Sequence, residues 1–393
     1  MSTTTVSKPE IVMDATGKPR KERLLSLDIF RGLTIAGMIL VNDPGDWGNV
    51  YAPLRHSKWN GWTPTDLVFP FFLFIVGVSM VFSFSSRLTR GDTRTNLMIH
   101  TLRRGIILFA LGVFINGFPN HYHIHTLRFE GVLQRIALCY VISSFIFLWS
   151  GRKTWIGTVF ACLVGYWIIM RYLPVPGFGV PTRDMPILDP ERNWTALIDR
   201  KLFMGHLYLR TSDPEGLLST IPAIASTLFG ILTAEWLRSM RSQGQKVFGM
   251  IAAGIACFIA GEIWNIWFPI NKNLWTSSFV LLTTGLALIG LGLCYWLFDV
   301  RKIRVRLADF FLVFGMNAIA AYVLSELLAA LIGTETFHSA RFGVVNWGSW
   351  VFRTIFQPLA SPLNASLLFA IAYVFFCWLV MLVLYRKRIF LKI

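Results

Sequence analysis

A histidine and an aspartate ten residues apart, His56 and Asp66, mark the point where the chain leaves a polar, aromatic loop and enters an apolar run. The stretch Leu54–Met80 opens with His56, Ser57, Lys58, Trp59, Asn60 and Trp62; Pro64 then starts a helix with Asp66 in its first turn, and the apolar sequence beyond it is of membrane-spanning length. A carboxylate at the centre of a membrane helix costs roughly 2.5–3.5 kcal/mol. Near the helix start it costs less and gains from the helix dipole. Two readings of Asp66 stand side by side: an N-terminal capping carboxylate, or the group that orients and charges the titratable imidazole of His56.

Other polar residues sit where apolar sequence makes them conspicuous. Asp28 and Arg31 share a helix face near the start of the first apolar run. They form either a local ion pair or, through Arg31, an anchor for an anionic cosubstrate. Asn42 ends that run and is either a terminal polar residue or a donor to a developing oxyanion. Arg103 and Arg104 open the third run, suited to lipid phosphate or to a nucleotide phosphate. Gln134 and Arg135 lie inside the fourth, where a buried arginine needs a partner. Asp213 and Glu215 precede the sixth as capping carboxylates, and Asn271, Lys272 and Asn273 offer donors at the mouth of the eighth. Asn317, Glu326 and Glu262 are embedded in apolar sequence, where hydrogen-bonded structural roles are the commoner case. His121, His123 and His125 alternate, but no further ligands are evident, so a solvated loop is expected rather than a metal clip.

The elements that must position these residues are membrane helices. The 393-residue chain is 54% hydrophobic and 15% charged, with a mean hydropathy of +0.56. That is not a soluble composition. An all-α polytopic membrane protein of about ten transmembrane helices is predicted, at 26–42, 65–86, 101–118, 131–149, 154–173, 217–237, 246–266, 274–298, 308–332 and 364–385. The net charge of +16 lies mostly in alternate loops: Arg87, Arg90 and Arg94; Arg152 and Lys153; Arg238, Arg241 and Lys246; Arg301, Lys302, Arg304 and Arg306; and the final Arg386, Lys387, Arg388 and Lys392. This is an orientation signature with both termini cytosolic, not the mark of a nucleic-acid partner. His56 then faces the outer side. Residues 1–24, which lack a signal-peptide pattern, are expected to form a disordered basic cytosolic tail, and 25–393 the membrane domain, with long outer loops at 174–216 and 333–363. The five cysteines all fall in apolar runs without CxxC spacing and read as core residues.

Taken together, several blocks resemble the heparan-α-glucosaminide N-acetyltransferase family. They are Asp28–Phe30–Arg31–Gly32, Asn42, His56–Ser57–Lys58–Trp59–Asn60–Gly61, Asp66–Leu67–Val68–Phe69–Pro70, Gly131–Val132–Leu133–Gln134–Arg135, Asp213–Pro214–Glu215–Gly216, Asn271–Lys272–Asn273–Leu274–Trp275 and Gly315–Met316–Asn317, in the same order as in that family and over nearly the whole chain from residue 24. The resemblance implies transfer of an acetyl group from cytosolic acetyl-CoA, a cosubstrate, to an amino sugar or glycan across the membrane. It equates the family's active-site histidine with His56 and its active-site asparagine with Asn42. It also carries the expectation of a homodimer. The chain begins almost at the first shared span, without the large luminal portion of the animal enzyme, and 43–53 and 174–212 depart from the animal pattern. A bacterial inner-membrane protein acting on another amino sugar or a cell-wall glycan is therefore expected.

The chemistry suits the residues. A thioester's thiolate leaves readily, so the demanding step is deprotonating the acceptor, for which an imidazole with an ordinary pKa near 6.5 serves as general base. Alternatively His56 carries the acetyl group covalently. Asn42 or Asn60 stabilises the oxyanion, and Asp66 holds the imidazole tautomer. The donor is expected near Arg31, Arg103, Arg104 and Arg135, and the acceptor near Trp59, Asn60, Asn271, Lys272 and Asn317. No metal is called for. The competing reading is an amino-sugar transporter or sugar-binding membrane protein that uses the same polar residues without transfer.

Overall fold

The computed structural model describes residues 24–391; residues 1–23 of the expected tail, and Lys392, lie outside them. Among the described residues, nine helices are long and apolar enough to cross a membrane. These are α1 (Leu25–Asn42), α2 (Val68–Thr89, led in by a 3₁₀ turn Pro64–Leu67), α3 (Arg94–Gly117), α4 (Val132–Trp149), α5 (Arg152–Tyr172), α7 (Thr220–Arg238), α8 (Gln243–Asn265), α9 (Ser277–Cys294, running on as a π turn to Val300) and α13 (Pro362–Arg386). A tenth crossing requires α10 (Arg306–Met316) and α11 (Ala318–Thr334) to act as one, bent by 80° at Asn317. The single straight span expected over 308–332 is therefore broken. The protein is an integral, multi-pass, all-α membrane protein. Its one sheet among the described residues is a hairpin of β1 (Thr336–Ser339) and β2 (Gly343–Asn346), leading into the short α12 (Trp347–Val351). The 174–216 loop carries α6 (Trp194–Phe203).

Contacts between distant residues sort the helix ends into two layers. At one end Asp299 caps α1 from afar, accepting from the Leu25 and Ser26 amides at 3.2 and 3.0 Å. Arg238 donates to Ser85, and Arg152 pairs with Glu235 at the same end. This basic end is the inner end, which the positive-inside rule assigns to the cytosol. At the outer end Gly45 and Asp46 bond to Ser366, Tyr51 donates to Asn364, Gly61 donates to Ile270 O, and Trp59 donates to Leu188 O.

Two large hydrophobic cores hold the helices, with a smaller third cluster around Tyr166 and Phe268. One is built mainly from α2, α4, α7 and α9, the other from α1, α10, α11 and α13. Without a hydrophobic drive between helices in lipid, close backbone approach does much of the work, and small residues permit it. A Cβ at Gly77 would lie 2.0 Å from Thr227 O, and one at Gly230 2.1 Å from Phe74 O, so α2 and α7 meet backbone to backbone. α1 and α10 do the same at Gly32 and Gly315, where a Cβ would fall 1.7 Å from Phe311 O and 1.9 Å from Asp28 O.

Gly230→Val is expected to be destabilising by at least the roughly 1–3 kcal/mol typical of overpacking, because backbone rather than a yielding side chain fills the space. Gly157→Val, where no atom lies within 4 Å of the added Cβ, is the control. Thermal unfolding in detergent distinguishes them: a large fall in apparent Tm for the first and a small change for the second.

Candidate active site

The outer end of α2 is fixed by a capping box. Thr63 and Asp66 exchange bonds across the first turn, with the Thr63 amide donating to Asp66 Oδ2 at 3.0 Å and the Thr63 hydroxyl lying 3.2 Å from the same oxygen. The Ser57 amide adds a third bond to Oδ2 at 3.1 Å. The other carboxylate oxygen, Oδ1, lies 2.7 Å from His56 Nδ1. Asp66 thus caps the helix through one oxygen and meets the imidazole through the other. A carboxylate only accepts, so Nδ1 carries the proton and Nε2 is left as the lone-pair nitrogen. Asp66 is fully buried, while the His56 side chain is 41% exposed. The imidazole therefore stands at the boundary between a rigid anchor and open space.

Lys272 closes the group. Its Nζ is 3.0 Å from His56 Nδ1, 3.5 Å from Nε2 and 3.6 Å from Asp66 Oδ1; an ammonium only donates, so with the Nδ1 proton turned to Asp66 its partners are Oδ1 and the Nε2 lone pair, not Nδ1. Burial pulls its ammonium below the ordinary lysine range, against Asp66 and Glu215, which favour the charge. The lysine is presented by a tight turn. Asn271, wholly buried, accepts from the Leu274 amide and donates to Asn60 Oδ1 at 3.2 Å. Trp275 completes the turn in the left-handed region at φ 50°, an uncommon setting for a bulky residue. Facing it, Gly61 at φ +98° donates to Ile270 O at 2.7 Å, which joins the His56 loop to the Lys272 loop.

Behind this lies a second polar cluster. Arg128 pairs with both Asp213 and Glu215. Burial opposes the Asp213 charge, yet Arg128 and the Glu215 and Tyr208 amides hold its carboxyl below the usual range. Arg135 donates to Gly216 O and Ser219 and lies over the Trp275 ring at 5.1 Å. Its Nε and Nη1, with Glu130 Oε2, Gln134 Nε2 and Asp199 Oδ1, are buried without hydrogen-bond partners among the described residues. Burial, with Asp199 and Asp213 nearby, pushes Glu130 up to about 9, and burial pushes Asp199 up to about 6.

A cavity of about 430 Å³ opens in the inner half, at the seam between the two cores. Arg31, Arg87, His100 and Arg104 line it, with Phe72 and Val76 toward its deep end and Leu391 on its wall. Arg31 bonds to Asp28, Gly315 O and Ser79. Arg104 reaches Tyr140.

The other expected site residues are distributed differently. Arg103 is exposed and does not line the cavity. Arg135 lies in the first turn of α4, at the outer end, not beside Arg31 and Arg104. Asn317 is buried at the inner end, where it donates to Ile389 O and accepts from the Leu391 amide; it is the clamp of the α10–α11 bend and lies away from the outer cluster. Trp59 and Asn60 pack and brace the outer loops. Asn42, half-buried, makes no side-chain hydrogen bond among the described residues, so its amide is available to a ligand. His121, His123 and His125 are exposed in a turn, and no group of three His, Cys, Asp or Glu residues is placed to hold a metal among the described residues. Sequence reasoning did not single out His100 or bring Arg87 to a site; the four-residue spacing of His100 and Arg104, which puts them on one helix face, is the signal that could have found the first.

A carboxyl with a raised native pKa keeps its proton when folded and loses it on unfolding. Its contribution to stability is whole below the unfolded value of about 4.3 and is lost as pH rises through the native value, about 9 for Glu130. Glu130→Gln removes this dependence. The Tm of the variant relative to the unsubstituted protein is therefore expected to rise between about pH 5 and pH 9, and a pH-independent difference would contradict the assignment.

The chain matches the family described as heparan-alpha-glucosaminide N-acetyltransferase, catalytic, over residues 23–260. It is 28% identical to the heparan-alpha-glucosaminide N-acetyltransferase of Mus musculus, over 96% of this chain and 62% of that protein. It is 27% identical to that of Homo sapiens, over 94% and 60% respectively. The chain thus spans about three-fifths of the length of the curated relatives it matches.

Proposed function

The chain belongs to the heparan-alpha-glucosaminide N-acetyltransferase catalytic family, and we propose that it moves an acetyl group from acetyl-CoA on the inner side to an amino sugar or glycan on the outer side of a bacterial inner membrane. One observation carries this reading: a single helix serves both sites. Asp66, in the turn that starts α2, anchors His56, and the same helix walls the inner cavity from Phe72 to Arg87. At ~1.5 Å per residue the cavity runs along α2 for ~22 Å, and Phe72 lies only ~9 Å along the axis from Asp66. A long, thin donor with a polyanionic head fits this shape. Its phosphates face Arg87, His100, Arg104 and Arg31, and its thioester end points up α2 toward His56.

At the outer end the acceptor amine attacks the thioester carbonyl. A C–N bond forms, the tetrahedral oxyanion collapses, the C–S bond breaks and coenzyme A leaves as its thiolate. His56 Nε2 takes the proton lost by the amine and returns it to the thiolate, while Asp66 keeps Nδ1 protonated and the ring fixed. The same Nε2 serves as nucleophile if the acetyl group is first carried on the ring. Asn42, through its available amide, and Lys272 steady the oxyanion in this reading.

Acetyl transfer in proteoliposomes tests the proposal, with labelled acetyl-CoA on one side and glucosamine on the other. His56→Ala is expected to abolish transfer, and Asp66→Asn to lower kcat by about 10²–10⁴. Arg104→Ala is expected to raise the KM for acetyl-CoA about tenfold with little change in kcat, the pattern of lost ground-state binding. Passage of intact glucosamine without label would establish a transporter instead.

A further inference from the structure

The reaction proposed above leaves unused a second cavity, of about 410 Å³, between α11, α12 and α13 in the outer half of the protein. Its lining is carbon: Leu328 and Ile332 from α11, Trp347 from α12, and Phe369, Tyr373 and Phe376 from α13. Phe376 and Trp347 are also half exposed on the lipid-facing surface, so the cavity is a groove open sideways to the bilayer.

Two features separate it from an ordinary gap between helices. First, its inner wall packs against the loop that follows Asn42. Phe369 packs where a Cβ on Gly45 would sit, and Ser366, one turn before, bonds to Gly45 and Asp46, just beyond Asn42. Tyr373 lines the groove on one side and is within electrostatic reach of Asp43 and Glu326 on the other. Glu326 in turn is within reach of Arg128 and Glu215, and Glu215 of Lys272. Charged groups are therefore spaced at electrostatic range between the back of the groove and Lys272, which stands beside His56. Second, cations lie close by along the chain. Arg353 follows the lining residue Val351 by two positions, and it and Arg341, both exposed, stack against the single ring of Phe342 at 5.9 and 5.2 Å; Arg353 also acts on Asp46. Two guanidiniums in the segment that walls an apolar slot at the outer end of the protein complement a phosphate bearing a long hydrocarbon chain.

From this we infer that the groove binds the hydrocarbon chain of a lipid-linked acceptor, an amino sugar carried on a long-chain lipid phosphate, with the phosphate at Arg341 and Arg353 and the sugar directed toward Asn42 and His56. The inference rests on the acetyl-transfer reading for its purpose, but the groove can be tested without turnover.

The probe is a hexadecyl phosphate ester of glucosamine with a photoactivatable diazirine in mid-chain, incorporated into proteoliposomes of the full chain. Adducts are expected on α11 and α13 around Tyr373. Excess unlabelled hexadecyl phosphoglucosamine should reduce them at least tenfold, and an equal amount of phosphatidylglycerol should not. Ala372→Phe, at an exposed position of the groove, should abolish them. Adducts spread over the lipid-facing helices, or equal competition by phosphatidylglycerol, would overturn the inference, since the groove would then hold bulk lipid only. In parallel, acetylation is compared for methyl glucosaminide and hexadecyl phosphoglucosamine. A KM at least tenfold lower for the long-chain acceptor, with the ratio falling toward one in both Ala372→Phe and Arg353→Ala, supports the groove; a ratio unchanged by both variants reports membrane partitioning alone and counts against it. Specific labelling with no acetylation of either acceptor would sink the transfer reading and leave the groove standing. Acetylation with unspecific labelling would do the reverse.

Discussion

Asp66 divides its two oxygens between structure and chemistry, and the outer half of the protein is arranged around that division. Oδ2 takes three bonds from the loop that enters the membrane and so fixes where α2 begins. Oδ1 faces His56 and Lys272. A buried carboxylate is tolerable only when its lone pairs are met and its charge is balanced. The capping box meets the first demand and Lys272 the second. The result is an imidazole whose tautomer is set by an anchor that cannot rotate without undoing a helix terminus.

The pattern of apolar runs disclosed most of the fold. Nine of the expected spans correspond to single helices, because hydropathy reports the solvent a helix lies in. It could not disclose the break at Asn317, since residues on both sides are equally apolar and the bend is set by hydrogen bonds to Ile389 and Leu391 far along the chain. The same limit applied to the site. His56 and Asp66 lie close in sequence and were legible as a pair. Lys272 was visible only as a donor at a helix mouth, and its place beside them depends on the Gly61–Ile270 bond. Asp213 and Glu215 read as helix caps, yet their principal partner is Arg128, more than eighty residues earlier. Glu130 and Asp199 gave no signal at all, because what distinguishes them is burial. Arg135 looked like a ligand for a phosphate because a lone arginine in an apolar run demands explanation; the explanation is a carbonyl, a hydroxyl and an indole face at the outer end.

The two hydrophobic cores divide the labour of the molecule. The larger, centred on α2 and α7, is locked by backbone contact at glycines and carries the His56 anchor at its rim. The smaller, around α1, α10, α11 and α13, contains the broken helix and the apolar groove. The inner cavity runs along the seam between them, where helices from both cores contribute its wall. Placing a binding space along the seam of two packed clusters lets it be shaped without opening a void at the centre of either.

The clamp at Asn317 changes what the end of the chain is. Hydropathy ends at Arg386, and the residues beyond it read as a basic tail. In the folded protein Ile389 and Leu391 are held by both ends of the Asn317 amide, and Leu391 forms part of the wall of the inner cavity. The last residues of the described chain are thus a doorpost and not a loose strap. Truncating them, or pulling on them through a fused partner, would reach the seam between the cores directly, and the room available to whatever enters from that side is set in part by residues that no membrane-span count would include.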